Sequence, residues 1–226
     1  MLENKVAIVS GIGPGMGRDI SLRLAGAGAD LVLVARSAGK LEEVAAEVEQ
    51  LGRRAARVQA DISVPADAQR IADAALAAYG RIDVLVNNAF HPGTMTPFEQ
   101  EDLERWREIL DVNLLGTLRL TQAVVPSMKA RRSGSIVMIS TMSTRVVNPG
   151  FAGYAASKAG LNAAMQGLAR ELGPSGIRVN AVLPGYIWGP GVKGYFERQA
   201  AQRGVTPEDC YREVAGQIPL RRIPDS

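Results

Sequence analysis

The sequence holds a single cysteine, Cys210, and a single histidine, His91. One thiol closes no intramolecular disulfide and builds no cysteine-based zinc site, so no metal is expected. One histidine leaves no Ser-His-Asp hydrolase unless His91 itself is the base. No apolar run approaches the ~20 residues a membrane helix needs. The run Val6 to Val9 behind the N-terminus is too short, and wrongly flanked, for a signal peptide. A cytoplasmic protein without a membrane partner is therefore expected. Charge of one sign is also scarce, with 26 Lys and Arg against 23 Asp and Glu. The densest basic stretches, Arg53-Arg54, Lys129 to Arg132 and Arg221-Arg222, are short and scattered, which argues against a nucleic-acid partner. There is no polar low-complexity tract and no fixed-period repeat, so disorder and solenoid architectures fall away.

What the chain does have is alternation. The runs Val6 to Val9, Leu31 to Val34, Val84 to Val86, Ile136 to Ile139 and Val179 to Leu183 read as buried strands, with Ala56 to Gln59 a weaker sixth. Strands apolar on both faces belong in a parallel sheet covered by helices. Between them, Leu41, Val44, Val48 and Leu51 step at helical spacing, as do Ala68, Ile71, Ala72 and Ala75. A longer helix is predicted from roughly Glu101 to Lys129 and another from about Tyr154 to Leu172, stopped by Gly173-Pro174. The pattern predicts an α/β fold with a doubly wound parallel sheet of Rossmann type in three αβα layers. With 226 residues and no linker, residues 1–226 read as one domain. Residues 185–217 break the alternation, are rich in Gly, Pro and aromatics, and carry a short helical segment near Tyr195 to Arg203. They follow the carboxyl end of a strand, where ligands bind in such sheets, so they read as a substrate lid or as an ordinary surface excursion.

Directly after the first strand stands Ser10-Gly11-Ile12-Gly13-Pro14-Gly15-Met16-Gly17-Arg18, leading into a helix. The literal G-x-G-x-x-G is absent, but Gly11, Gly15 and Gly17 give G-x-x-x-G-x-G. Glycines there permit a tight turn and close backbone approach, and the helix N-terminus meets a pyrophosphate. Gly11, Gly13, Gly15, Met16 and Gly17 are accordingly candidate cofactor-binding positions. The second strand ends Val34-Ala35-Arg36-Ser37, without the acid that would bond the ribose hydroxyls of NAD. Arg36 can pair with a 2′-phosphate and Ser37 can add a hydrogen bond, so NADP(H) is favoured over NAD(H).

Tyr154 and Lys158 are four apart on a predicted helix and project from one face. A free tyrosine titrates near ~10, and a neighbouring ammonium together with an oxidised nicotinamide would lower that value toward useful acid–base chemistry.

The glycine pattern, Asn87-Asn88-Ala89, Asn113, Tyr154-Ala155-Ala156-Ser157-Lys158 and Pro184-Gly185, in that order, resemble the short-chain dehydrogenases/reductases. The match runs from about Lys5 to Arg222. The resemblance implies reversible hydride transfer between NADP(H) and a carbonyl or secondary alcohol. Tyr154 would be the general acid or base and Lys158 would contact the nicotinamide ribose. Asp61, followed by Ile62, would hydrogen-bond the adenine, Asn87 would sit beside the adenosine ribose, and Ala89 would lie beside the cofactor. Pro184, Gly185 and Ile187 would lie beside the cofactor, and Asn113 would hold a water. It also implies a small-molecule substrate and a homodimer or homotetramer. The family's catalytic serine lies thirteen residues before the tyrosine, where this chain has Thr141. The Thr141 hydroxyl still hydrogen-bonds a carbonyl, with Ser140 and Ser143 as neighbouring alternatives.

Three departures stand out. The glycine that usually follows Asn87-Asn88-Ala89 is Phe90, which would narrow the pocket, stack on the substrate or turn outward into the core. The usual threonine at position 189 is Gly189, after Trp188. The family normally continues past Arg221-Arg222-Ile223-Pro224 with one more helix and a final strand; this chain stops at Ser226, so either it is truncated or the natural protein is short, and without that strand the sheet edge would be exposed unless a partner covers it. Phe90, His91, Trp188 and Tyr195 are candidate substrate contacts, and the aromatics point to an apolar or cyclic substrate. They are also what a lid would bury in its own core, and His91 reads equally as a loop surface residue. The alternative function is a dinucleotide-binding regulatory or structural subunit without turnover.

Overall fold

A computed structural model describes residues 1–225. Six parallel strands, β1 (Val6–Ser10), β2 (Asp30–Ala35), β3 (Ala55–Gln59), β4 (Val84–Asn87), β5 (Gly134–Ile139) and β6 (Ile177–Val182), form one sheet in the order β3-β2-β1-β4-β5-β6. Successive side chains of a strand face opposite ways, and that alternation builds two cores. Val6 and Ile8 enter one core with Val124, Met128 and Leu161. Ala7 and Val9 enter the other with Leu41, Val44 and Val48. The first core lies under α3 (Pro65–Tyr79), α5 (Thr117–Arg131) and α6 (Ala152–Leu172), and the second under α1 (Met16–Gly26) and α2 (Ala38–Gln50). This is the three-layer doubly wound fold that the alternation predicted.

The differences are local. The predicted single helix from Glu101 is α4 (Leu103–Leu110), a π-helical turn (Asp111–Gly116) and α5. β6 is not apolar on both faces: Arg178, Asn180 and Val182 are exposed, and β5 is its one partner strand among the described residues. The 185–217 segment contains two helices, α7 (Pro190–Arg203) and α8 (Pro207–Gln217), where one short one was predicted. Their buried residues Phe196, Ala200 and Cys210, with Ile223, make a third apolar cluster apart from the two sheet cores. No helix among the described residues is long and apolar enough to cross a membrane.

At the end of the sheet opposite the glycine loop, Asp83 is buried and accepts hydrogen bonds from the Val6 backbone N–H (3.0 Å) and from Arg81 (2.7 and 2.6 Å). Burial alone would raise its carboxyl, but Arg81 and the Val6 amide hold it below the usual range. Asp83→Asn is expected to destabilise the fold by roughly 3 kcal/mol, because it strands Arg81 and weakens the β1 anchor. A depressed carboxyl contributes above the unfolded value and is lost as pH falls. The deficit against wild type should therefore shrink below pH ~3.9 in chemical denaturation.

Candidate active site

The strand order reverses between β1 and β4, and the chain leaves β1 there into the glycine loop. Gly11 takes a left-handed backbone (φ +79°), and a Cβ on it would lie 2.4 Å from the Ala89 Cα. A Cβ on Gly17 would lie 2.3 Å from the Gly11 carbonyl oxygen, so α1 starts hard against the loop. The Gly11 and Ile12 amides donate to the Val34 carbonyl (2.9 and 3.0 Å), and Asn88 Nδ2 donates to the Gly11 carbonyl (2.9 Å). Gly13 and Gly15 face open space, and α1 has no side-chain cap, which leaves the Met16 and Gly17 amides at its start to face an anion. Met16 opens α1 and packs its side chain against the core on that face. Arg18 is held away by a two-pronged bond to Glu47.

At the end of β2, Arg36 is 81% exposed, with Nη1 3.8 Å from Asp61 Oδ2. Ser37 opens α2 without using its hydroxyl as a cap. Asp61 Oδ1 accepts from the Ser63 amide (2.9 Å) and hydroxyl (2.7 Å), closing a turn. Ile62 is buried in the core.

Past β5, Lys158 is among the most deeply buried side chains of the chain. Its Nζ donates to the Ile139 carbonyl (2.8 Å), and burial pulls its pKa down to about 8. The Tyr154 phenol is raised by burial, while a hydrogen bond with Thr141 works against that rise. In the protein alone, the phenol is therefore not lowered by its lysine neighbour. The ammonium is directed at Ile139, and desolvation dominates. Thr141 Oγ1 also accepts the Ser143 amide (3.1 Å) and lies 3.3 Å from the Ser143 hydroxyl. Ser140 is buried behind it with its hydroxyl unpartnered. Asn113, fully buried in the π turn, accepts the His91 amide at Oδ1 (2.7 Å). Its Nδ2 donates to the His91 carbonyl and to Ser157 Oγ (both 3.0 Å). Asn87 Nδ2 donates to Thr121 (3.0 Å), and its Oδ1 has no partner.

Residues 5–200 match the family model for the short chain dehydrogenase family. The chain belongs to the short-chain dehydrogenases. It is 36% identical to oxidoreductase UcpA of Salmonella typhimurium over 99% of this chain and 84% of that protein. It overlays an NAD+-bound xylitol dehydrogenase with a TM-score of 0.94 at 29% identity, over 99% of this chain and 88% of that one. An actinorhodin polyketide ketoreductase crystallised with NADPH gives a TM-score of 0.93 at 29% identity, over 100% and 87%. The protein is thus an oxidoreductase of a family that binds nicotinamide dinucleotides and acts on small molecules.

As a short-chain dehydrogenase, the chain offers a dinucleotide three fitting features. The loop glycines and α1 supply bare amides, Asn87 Oδ1 is an orphaned buried acceptor, and Lys158 uses one of three ammonium donors within the protein. The Met142 amide donates to the Pro184 carbonyl (2.8 Å), bringing Pro184, Gly185 and the partly buried Ile187 beside the Thr141 loop.

The predicted pocket aromatics divide. Phe90 is 55% exposed and joins none of the three apolar clusters. His91 is half-buried, with Nδ1 accepting the Gly93 amide (3.1 Å). Trp188 packs edge-on against Tyr211 (5.0 Å) and beside Phe196 (6.1 Å), and its amide donates to the Pro224 carbonyl (2.7 Å). It packs, partly buried, against the apolar cluster of the 185–217 segment. Tyr195 stays near the phenol through Phe151, whose ring lies 6.0 Å from Tyr195 and 6.5 Å from Tyr154. Burial and Tyr186 push Tyr195 up to about 12. Phe151 and Tyr186 escaped sequence reading, because only spatial contact with Tyr154 and Tyr195 distinguishes them.

Proposed function

We propose that this short-chain dehydrogenase interconverts a carbonyl and a secondary alcohol with NADP(H), on an apolar or cyclic substrate. The observation that carries the reading is Tyr154 beside Thr141, one helical turn from the buried Lys158, at the carboxyl end of β5. In this reading the loop glycines and α1 bind the pyrophosphate, Arg36 and Ser37 the 2′-phosphate, and Lys158 the ribose hydroxyls. The bound nicotinamide supplies or accepts the hydride. Thr141 Oγ1 hydrogen-bonds the substrate oxygen, and Tyr154 Oη gives that oxygen its proton in reduction and removes it in oxidation. The raised phenol stays protonated at neutral pH, which suits reduction. Phe151, Tyr195 and Tyr186 supply an aromatic wall, with residues 185–217 as its lid. Exposed Val146, Val147, Ala152 and Ala156 form an apolar surface that a homodimer or homotetramer would cover.

The test follows NADPH and NADH oxidation with cyclic and open-chain ketones, in wild type and Arg36→Ala. Two charge-assisted bonds to a phosphate make the KM for NADPH rise roughly 10–100-fold in the variant, with NADH unaffected. Equal use of both cofactors by wild type would refute the NADP(H) assignment.

A further inference from the structure

The helix that carries Tyr154 starts poorly. Phe151, its first flanking residue, makes no side-chain cap, and the first turn holds no acidic residue to complement the exposed amides. Tyr154 lies in that first turn, where helices fray most readily. Something lateral must hold it, and two contacts do. The Trp106 indole of α4 sits so close that a Cβ on Gly153 would lie 2.9 Å from its Nε1. The second contact is polar and runs through Ser157.

Ser157 is fully buried on the inner face of α6. Its Oγ donates to the Tyr154 carbonyl (2.7 Å) and accepts from Asn113 Nδ2 (3.0 Å). Asn113 is itself fixed by the paired bonds to the His91 backbone. One hydroxyl thus joins the backbone of Tyr154 to the π turn and, through it, to the loop after β4. A serine bonding back to the carbonyl three residues earlier ordinarily competes with helix geometry. Here the same oxygen receives a second, interhelical bond, so the arrangement ties the turn down instead of loosening it.

We infer that Ser157 is a positioning residue that ties the uncapped first turn of α6 to the π turn and so fixes the place of the Tyr154 phenol. The inference rests on the proposed role of Tyr154. Ser157 touches neither substrate nor cofactor in this account, and it acts through the backbone of Tyr154.

The test compares wild type with Ser157→Ala and Ser157→Cys, the thiol keeping most of the volume with only weak hydrogen-bonding power. Both variants should lose about tenfold in kcat, since small misplacements of a reacting group are costly. The KM for ketone and the Kd for NADPH should stay within about twofold, the signature of a defect confined to the reacting step. Hydrogen exchange followed by mass spectrometry should show the 152–158 amides opening about tenfold faster, with the sheet unchanged. Full turnover in Ser157→Cys would show that volume, not hydrogen bonding, acts, and would overturn the inference. Unchanged exchange in both variants would overturn it whatever the turnover. A wild type without turnover on any ketone refutes the proposed function and the positioning role together, whereas an active series with unaltered exchange refutes this inference alone.

Discussion

Replacing Tyr154 by phenylalanine is expected to lower kcat roughly 10²–10⁴-fold, the range for loss of a positioned proton donor, while NADPH still binds. The change removes one oxygen and leaves the ring in its contact with Phe151. The effect therefore reports proton transfer and not packing. Wild-type pH dependence carries the same signature. Burial raises the phenol above its ordinary ~10, so the donor form persists through neutral pH. Ketone reduction should stay level through neutrality and decline only at alkaline pH, whereas alcohol oxidation should climb as the phenolate forms. Steady-state assays in both directions check both statements. If Tyr154→Phe and wild type shared one low turnover, a dinucleotide-binding subunit without catalysis would be the better reading.

Lys158→Met should cost roughly 10²-fold in kcat/KM and yet raise the stability of the protein alone. Lys158 is an ammonium buried with one protein acceptor, the Ile139 carbonyl, and burial draws its pKa to about 8. Replacing a buried charge by an apolar chain of similar volume is often neutral or stabilising, by about 1–4 kcal/mol. The sign with pH is definite. Between about 8 and the unfolded ~10.4, the unfolded chain holds more protons at this site than the folded chain does. Wild-type stability from this group therefore rises with pH across that window. The advantage of the methionine variant should be largest below pH 8 and fade toward ~10.4. Thermal unfolding of both proteins at pH 7 and near pH 10 measures it. A variant less stable than wild type at pH 7 would show that the Ile139 bond outweighs the burial of charge.

The sheet was legible in the sequence because parallel strands buried on both faces read as unbroken apolar runs, as in Val6 to Val9 and Leu31 to Val34. β6 was legible as a strand but not as a half-solvated one, since its exposure depends on which neighbours it has. The π turn was invisible, because Asp111 to Gly116 carries no Pro or Gly break before Gly116 and the extra residue lies in the backbone bonding. α8 was missed, although Thr206-Pro207-Glu208-Asp209 carries its start: Thr206 and Asp209 cap each other, with proline at the first helical position. At the site, the spacing of Tyr154 and Lys158 and the glycine loop were read directly. The aromatic run did not show that Trp188 packs against Tyr211 and Phe196, which only the fold brings together. Ser157 passed as filler between two reactive residues, and only its two hydrogen bonds set it apart.

The 185–217 segment carries a hydrophobic centre of its own, with Phe196, Ala200 and Cys210 sharing no cluster with the sheet. That separation gives the chain an evolvable part. If residues 185–217 form the proposed substrate lid, substitutions on α7 and α8 would be absorbed by this small local interior, while the two sheet cores stay untouched. On that reading, exchanging this segment as a cassette is expected to move the substrate range without disturbing either sheet core.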